Sequence, residues 1–487
     1  MNSPLTSQGP VRIDSGLIKG AATGTDKSIS VYKGIPYSAP PIGEMRWRPP
    51  ESVTPWKGVR SATEYGPSAP QAISSFGGIT ERTWQSEDCL YLNIWTPAAE
   101  PDEKLPVMVW LHGGAFSIGS GSNPQYAGMN LARKGVVLVT INYRLNYFGP
   151  FAHPLLTGES EHHASGNYGL MDQVAALRWV QRNICRFGGD PDCVTIFGES
   201  AGSRSVTLLM VSPLAEGLFH RGICQSGATR DVSQSREERE EACRKLAEKV
   251  GAETLQDLRA KTWDEFASAG PFNTNPLVDG WVIPGDPRDL YAQGKQHDVP
   301  LIIGSNLDEA TLFILESPIK TVEDYKRFIN RRYKENADRV LGLYPVKNDG
   351  DVHEALNRHA TDAMFTLHAR KQARWMEKAA AKTYLYHFTR IPPTSGGEHL
   401  RAHHGAEIAY AFGNMGPGWG DAAEVDRALS DAMMTYWTQF AATGDPNADG
   451  LPDWPAYETE TDQYLELGEE IKAGSNLRKK ELDVLDK

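Results

Sequence analysis

Apolar residues in the first half of the chain fall into short continuous runs, each closed by turn-forming residues. Three such runs cover Leu105–Gly114, Gly135–Leu145 and Cys193–Ser200, and an amphipathic stretch over Met171–Gly189 precedes the third. Continuous apolar strands that alternate with helices are typical of a sheet buried on both faces. The pattern therefore predicts an α/β protein with a central, mostly parallel twisted sheet and helices on both faces.

In the second half of the chain, more of the sequence shows apolar residues that recur with the period of an α-helix. Charged amphipathic stretches over Arg236–Val250, Val322–Tyr344 and Val352–Ala381 predict helices, and strand patterns return at Val299–Ala310 and Lys382–Phe388. The simplest arrangement is one sheet that carries helical insertions after its middle strands.

The Pro- and Gly-rich stretch Tyr32–Glu51 predicts strands, turns and a fixed extended loop rather than a helix. No Pro/Ser/Gly-rich linker divides the chain, so we expect residues 1–487 to form a single domain.

The charge and composition of the chain argue against some classes of binding partner. The formal net charge of −12 is spread along the chain, which argues against a nucleic-acid partner and against an anionic membrane surface. The N-terminus has no signal-like apolar run, and runs such as Val136–Ile141 are too short to span a bilayer. The 5 cysteines have no framework spacing, which favours reduced thiols. These features predict a cytoplasmic protein. We further expect a monomer or weak homo-oligomer with a small-molecule substrate.

A G-x-S-x-G motif spans Gly198–Gly202 and has Ser200 at its centre. The motif alone is a weak signal, but here a strand-like run precedes it and a helix-compatible run follows. Glycines at both ends permit a strained turn that exposes the serine, with the N-terminus of the next helix behind it. A serine that merely caps a helix would explain Ser200 and neither glycine. We therefore predict that Ser200 is a nucleophile.

A nucleophilic serine needs a base and an acid that orients the base. Among 13 histidines, His404 follows the last predicted sheet strand, and Glu309 follows the strand that begins at Val299. The order serine, acid, histidine is that of α/β-hydrolases. The neighbours Asp308 and His403 are alternatives that the residues alone leave open.

Many motifs of the chain, taken together, resemble the type-B carboxylesterases, a family that includes bacterial para-nitrobenzyl esterases, animal carboxylesterases and cholinesterases. They include, in order, "YKGIPYSAPPIGEMRWRPP", "SEDCLYLNIWTP", "HGGAF", "INYRLNYFG", "FGESAG", "GSNLDEATLF", "HGAEIAYAF" and "WTQFAATGDPN". Within this family, the chain resembles the bacterial para-nitrobenzyl esterase branch. The resemblance implies an α/β-hydrolase fold with helical insertions over an active-site gorge. It also implies that Ser200 is the nucleophile, Glu309 the acid and His404 the base.

The Gly-rich loop "HGGAF" is the natural source of an oxyanion hole, together with the N–H group that follows the nucleophile. The resemblance assigns the donors to Gly114, Ala115 and Ala201. The supporting and pocket residues that it implies are Gly113, Glu199, Leu312 and Phe313. For Leu312 and Phe313, ordinary core packing is the alternative.

The pattern of cysteines departs from that of the cholinesterases. In that branch, the cysteine of "EDCLYLN" pairs with another in an upstream C-P-Q motif. Here Cys89 is present, but Ala69 stands in the upstream position. We expect Cys89 to be a free thiol, which favours a bacterial cytosolic esterase.

The predicted function is that of a serine carboxylesterase, which hydrolyses carboxylic esters through an acyl-enzyme and needs no cofactor. No metal is expected, because His399 and His403 are spaced i, i+4 but lack the glutamate of H-E-x-x-H. The same machinery would serve a carbamate, amide or toxin-ester hydrolase, and a non-catalytic binding protein of the same fold is a remote alternative.

Overall fold

Strands and helices alternate along most of the chain. The computed structural model describes residues 4–24, 27–72, 85–230, 234–416, 419 and 422–486. The strands are β1 (Val11–Ile13), β2 (Gly16–Lys19), β3 (Ala21–Thr23), β4 (Ile29–Pro36), β5 (Val59–Ser61), β6 (Tyr91–Thr96), β7 (Leu105–Leu111), β8 (Val137–Ile141), β9 (Gly189–Glu199), β10 (Arg221–Gln225), β11 (Leu301–Asn306), β12 (Thr383–Phe388), β13 (Gln463–Leu467) and β14 (Ile471–Ser475).

The α-helices occupy the segments between these strands and the end of the chain. They are α1 (Met129–Arg133), α2 (Pro154–Glu159), α3 (Tyr168–Asn183), α4 (Ala201–Leu209), α5 (Arg236–Lys249), α6 (Leu255–Ala260), α7 (Trp263–Ala269), α8 (Pro287–Ala292), α9 (Thr311–Ile314), α10 (Val322–Tyr333), α11 (Ala337–Leu343), α12 (Val352–Thr361), α13 (Leu367–Met376), α14 (Gly397–Leu400), α15 (Ile408–Phe412), α16 (Glu424–Thr443) and α17 (Lys479–Leu485).

One compact unit contains residues 1–222 and 229–297. Its larger sheet has the strand order β9, β7, β8, β6, β4, β3, and a small separate sheet has the order β1, β2, β5. β7 pairs in parallel with both β8 and β9, as the buried apolar runs predict. The pairs β6/β8, β4/β6 and β3/β4 are antiparallel. The sheet of this unit thus combines parallel central strands with antiparallel outer ones, because the N-terminal strands are joined without crossover helices.

The second compact unit contains residues 223–228 and 298–487. Its strands β11, β12 and β13 pair in parallel, and β14 closes the edge in an antiparallel pair. A hydrophobic cluster of this unit packs α10, α11 and α12 around residues such as Tyr325 and Val340. The single domain expected over residues 1–487 stays a prediction.

Two of the helical stretches predicted from the sequence are interrupted in the structure. The stretch predicted as one helix over Val322–Tyr344 breaks after α10, where Lys334 has a φ of 47°. The stretch over Val352–Ala381 contains a π-helical turn at Asp362–Thr366 between α12 and α13. Such π-turns often occur at functional sites.

Neither a disulfide nor a membrane helix is found in the described part of the chain. All five cysteines are free thiols, and Cys89 and Ala69 are both buried, in agreement with the predicted free thiol. Near these two positions, the Ser86 N–H donates to the Ser68 carbonyl at 2.9 Å. No described helix combines the length and apolar character needed to cross a bilayer.

Candidate active site

Ser200 lies at the sharp turn between β9 and α4. Its backbone has φ 54° and ψ −116°, a region that residues other than glycine rarely occupy. Although Ser200 is the N-cap of α4, its side chain makes no capping hydrogen bond. The turn therefore presents the hydroxyl instead of using it to cap the helix.

The two glycines of the motif are required by close packing. A Cβ atom on Gly202 would lie 1.8 Å from the Leu111 carbonyl oxygen, and one on Gly198 would lie 2.5 Å from the same atom. The positive φ falls on Ser200 and on neither glycine. Because the two glycines have no side chain, β9 and α4 can approach the end of β7. The strained backbone conformation of the turn is that of Ser200.

The loop that follows β7 turns its carbonyl groups toward partners within its own unit. The Gly114 carbonyl accepts from the N–H groups of Ser117 and Ile118 at 2.9 and 3.0 Å. The Ala115 carbonyl accepts from Thr274 Oγ1 at 2.9 Å. Positive φ angles of 107° at Gly114 and 54° at Ala115 make this orientation possible.

The three N–H groups expected to form an oxyanion hole belong to this loop and to the first residue of α4. The N–H groups of Gly114, Ala115 and Ala201 donate no hydrogen bond to any described residue. Donors held ready in this way suit an oxygen that becomes negatively charged in a transition state.

Two buried side chains that the sequence analysis missed fix this loop. Gln71 accepts from the Gly119 N–H at 2.7 Å through Oε1 and donates to the Gly119 carbonyl at 2.9 Å through Nε2. His112 Nδ1 lies 2.8 Å from the Gly113 carbonyl, so Nδ1 carries the proton. Burial lowers the pKa of His112 to about 4, which keeps the ring neutral.

Glu199 and Gly113 lie against each other beside Ser200. A Cβ atom on Gly113 would lie 2.5 Å from Glu199 Oε2, so only glycine fits there. The Glu199 side chain is buried. The carboxyl group of Glu199 thus lies against Gly113 of the loop.

In the second unit, Glu309 and His404 form a short hydrogen bond. His404 Nδ1 lies 2.6 Å from Glu309 Oε2, and Glu309 is fully buried. The other carboxylate oxygen, Oε1, accepts from the Asn306 N–H at 2.8 Å, at the end of β11. Both oxygens of Glu309 are therefore fixed, and the imidazole is held with its Nδ1 proton toward the acid.

The two neighbours that the residues left open as alternatives make other contacts. Asp308 Oδ1 accepts from Asn357 Nδ2 at 2.8 Å and pairs with Arg401 at 3.2 Å. His403 Nδ1 lies 3.0 Å from the Arg401 carbonyl, and burial lowers the pKa of His403. The structure therefore brings Glu309 and His404 together and places Asp308 and His403 in separate contacts.

Aromatic rings surround the His404 imidazole. The ring centroids of Phe313 and Phe365 lie 5.1 and 4.8 Å from that of His404. Phe313 is 45% exposed and Leu312 is half-buried, so Phe313 is not a simple core residue. Phe365 comes from the π-helical turn, and no sequence motif indicated it.

A second buried carboxylate, Glu407, lies beside the Glu309 network and was also missed. Asn306 Nδ2 donates to Glu407 Oε2, and Gln225 Nε2 donates to Glu407 Oε1 at 3.2 Å. Burial and the nearby charge of Glu309 raise the pKa of Glu407.

In the part of the chain that the structure describes, no group of three or more His, Cys, Asp or Glu residues is arranged to hold a metal ion. The expectation that the reaction needs no metal and no cofactor stays a prediction.

Comparison with known proteins gives one consistent result. The model of the carboxylesterase family matches residues 7–485. The chain is 36% identical over 475 residues to the fumonisin B1 esterase of Sphingopyxis macrogoltabida, with 94% of this chain and 87% of the relative covered. It is also 36% identical over 478 residues to the para-nitrobenzyl esterase of Bacillus subtilis, with 94% of each chain covered.

Solved structures agree with this likeness. A carboxylesterase from Geobacillus stearothermophilus superposes with a TM-score of 0.86 at 35% identity, covering 98% of this chain and 99% of that one. A para-nitrobenzyl esterase superposes with a TM-score of 0.84 at 33% identity, with the same coverage. These findings confirm the predicted α/β-hydrolase fold and the predicted serine carboxylic ester hydrolase. This chain belongs to the carboxylesterase family.

Proposed function

We propose that Ser200, Glu309 and His404 are the catalytic triad with which this esterase hydrolyses small carboxylic esters. The observation that carries the proposal is the 2.6 Å hydrogen bond from His404 Nδ1 to a fully buried carboxylate. That bond leaves Nε2 unprotonated and able to accept a proton. The strained backbone of Ser200 supports its role as the nucleophile.

In the acylation step, Ser200 Oγ attacks the ester carbonyl carbon while His404 Nε2 takes the hydroxyl proton. Negative charge moves to the carbonyl oxygen, and the N–H groups of Gly114, Ala115 and Ala201 stabilise it. The intermediate then collapses, the bond from carbon to the alcohol oxygen breaks, and His404 gives its proton to the leaving alcohol. Glu309 stays ionised throughout and stabilises the imidazolium.

Deacylation repeats the same steps with water. His404 Nε2 takes a proton from water, and the resulting hydroxide attacks the acyl carbon. The carbon–Oγ bond breaks, and the imidazolium returns its proton to Ser200. The products are a carboxylic acid and the free enzyme.

The test compares hydrolysis of 4-nitrophenyl butyrate by the wild type, Ser200→Ala and Ser205→Ala. Ser205 lies on the same helix, and its hydroxyl accepts from Gln173 Nε2 at 3.0 Å. We expect Ser200→Ala to lower kcat by about 10⁴-fold or more and Ser205→Ala to keep most of the activity. Labelling by a fluorophosphonate should map to the peptide that contains Ser200. Equal rates for the wild type and Ser200→Ala would exclude Ser200 as the nucleophile.

We further propose a cytoplasmic protein that is a monomer or a weak homo-oligomer. Five free thiols support a reducing compartment. Cell fractionation and light scattering after size exclusion test the two statements.

A further inference from the structure

Arg204 lies one helical turn after the nucleophile. Its N–H donates to the Ser200 carbonyl at 2.9 Å, within the first turn of α4. Residues i and i+4 of a helix share one face, and helical side chains lean toward the N-terminus. The guanidinium of Arg204 therefore extends toward the end of α4 that carries Ser200.

Among the described residues, no carboxylate forms an ion pair with Arg204. Its NH1 group donates to Asn275 Oδ1. Burial and the positive charge of Arg230 lower the pKa of Arg204 to about 10. The group stays positive at neutral pH, yet a cation largely removed from water is normally paired.

The contact between Arg204 and Asn275 lies next to the proposed oxyanion hole. Asn275 Nδ2 donates to Asn273 Oδ1 at 2.8 Å, which turns Asn275 Oδ1 toward the guanidinium. The adjacent residue, Thr274, donates from Oγ1 to the Ala115 carbonyl at 2.9 Å. One short segment thus touches both Arg204 and the loop that would hold the ester carbonyl.

A second arginine reinforces the local positive charge. Arg239 is buried, and its guanidinium donates to Gln234 Oε1 at 2.9 Å and to the Asn275 carbonyl at 3.0 Å. It also forms no ion pair with a described residue. Two arginines that both contact Asn275, neither paired with a carboxylate of the described residues, make this a locally cationic site.

We propose that Arg204 binds a carboxylate group of the substrate, so that the preferred substrates are anionic esters such as half-esters of dicarboxylic acids. The inference rests on the proposed role of Ser200, because Arg204 acts at a fixed distance from that residue. A planar guanidinium binds a carboxylate through two parallel hydrogen bonds, which gives both affinity and orientation. The substrate would supply the counter-charge that the described residues do not.

Two pairs of isosteric esters test the proposal. Monoethyl succinate and ethyl 4-methylpentanoate differ by a carboxylate in place of an isopropyl group on the acyl side. 3-Acetoxypropanoate and 3-methylbutyl acetate differ in the same way on the alcohol side. Proton release in a pH-stat gives kcat/KM for each ester, and the ratio within each pair measures recognition of the charge.

We expect the wild type to favour the anionic member of at least one pair, and that pair identifies the side of the ester that Arg204 contacts. Arg204→Met should lower this ratio by about 10- to 100-fold, the value of one charge-assisted hydrogen bond. Arg204→Lys keeps the positive charge but loses the planar guanidinium that forms two parallel hydrogen bonds. It should therefore give an intermediate ratio. The control Arg178→Met removes an exposed arginine of α3 and should leave the ratio unchanged.

A wild-type ratio at or below one in both pairs would overturn the inference without any variant. So would an Arg204→Met enzyme in which both members of a pair lose activity by the same factor, because that loss indicates a structural role. Failure of the proposed function is a separate result, namely hydrolysis of 4-nitrophenyl butyrate that does not depend on Ser200.

Discussion

Replacement of Glu309 by glutamine tests which acid orients the catalytic histidine. A carboxylate offers two acceptor oxygens, and the structure uses both: Oε2 faces His404 Nδ1 at 2.6 Å and Oε1 faces the Asn306 N–H at 2.8 Å. Glutamine offers one acceptor and one donor. The backbone N–H of Asn306 cannot reorient, so it will hold the amide oxygen.

The amide NH₂ group of the substituted side chain would then face His404. The imidazole must accept this hydrogen bond at Nδ1, which moves its proton to Nε2 and removes the base. Loss of the correct tautomer in a serine triad lowers kcat by about 10⁴-fold. We therefore expect Glu309→Gln to lower kcat by about 10³- to 10⁴-fold, equivalent to about 4–5.5 kcal/mol of activation free energy.

The matched control is Asp308→Asn, the same chemical change one residue earlier. Asp308 is bound by Asn357 and Arg401, and burial raises the pKa of its carboxyl group. Its amide variant should keep kcat within about threefold. Both variants are assayed with 4-nitrophenyl butyrate, and thermal unfolding shows that each is folded. If Asp308→Asn abolished activity while Glu309→Gln kept a tenth of it, the assignment of the acid would be wrong.

Three further predictions concern the loop, the turn and the effect of pH. Gln71→Leu should lower kcat for 4-nitrophenyl butyrate by about 10- to 100-fold with little change in KM, because the loop that ends at Gly119 loses both bonds that fix it. Gly202→Ala should lower the free energy of unfolding by about 1–3 kcal/mol, because its methyl group would overlap the Leu111 carbonyl. Acid should destabilise the fold through the three histidines whose pKa burial lowers to about 4, which are His112, His359 and His387. Since their unfolded pKa is about 6.5, this stability is complete above pH 6.5 and is lost toward pH 4, by about 2 kcal/mol per histidine at pH 5 in urea titrations.

Each of these predictions has a result that would contradict it. Gln181→Leu removes a similar amide that donates to the Pro191 carbonyl, and a kcat loss equal to that of Gln71→Leu would contradict a specific role for Gln71. Gly158 has open space around its Cα atom, so Gly158→Ala is the neutral control for the turn. Equal stability at pH 5 and pH 7 would contradict the histidine argument.

The central strands could be predicted from the sequence because they are buried on both faces. The apolar runs near β7 and β8 contain these strands and extend a few residues beyond each. Among the outer antiparallel strands, β4 overlaps the Pro- and Gly-rich stretch Tyr32–Glu51, and no local pattern reveals the pairing partners of β3, β4 and β6. The π-helical turn depends on tertiary contacts, since Asp362 binds the Tyr344 hydroxyl and the Arg478 guanidinium.

The residues of the candidate site likewise fall into those that the sequence predicted and those that it did not. Ser200, Glu309 and His404 follow strand ends, where a motif and its context can be recognised. Gln71 and Phe365 act through partners 48 and 39 residues away, respectively, and their own sequence surroundings carry no chemical signal.

The strained backbone of Ser200 also lowers the free energy of unfolding of the protein. A non-glycine residue held at φ 54° and ψ −116° costs about 1–3 kcal/mol, a noticeable part of the net stability of a domain. If Ser200 is the nucleophile, as proposed, both Ser200→Gly and Ser200→Ala should be inactive, but only glycine should relieve the strain. After allowance for the greater unfolded-state entropy of glycine, the difference in stability between the two variants measures the folding free energy that the strained turn costs.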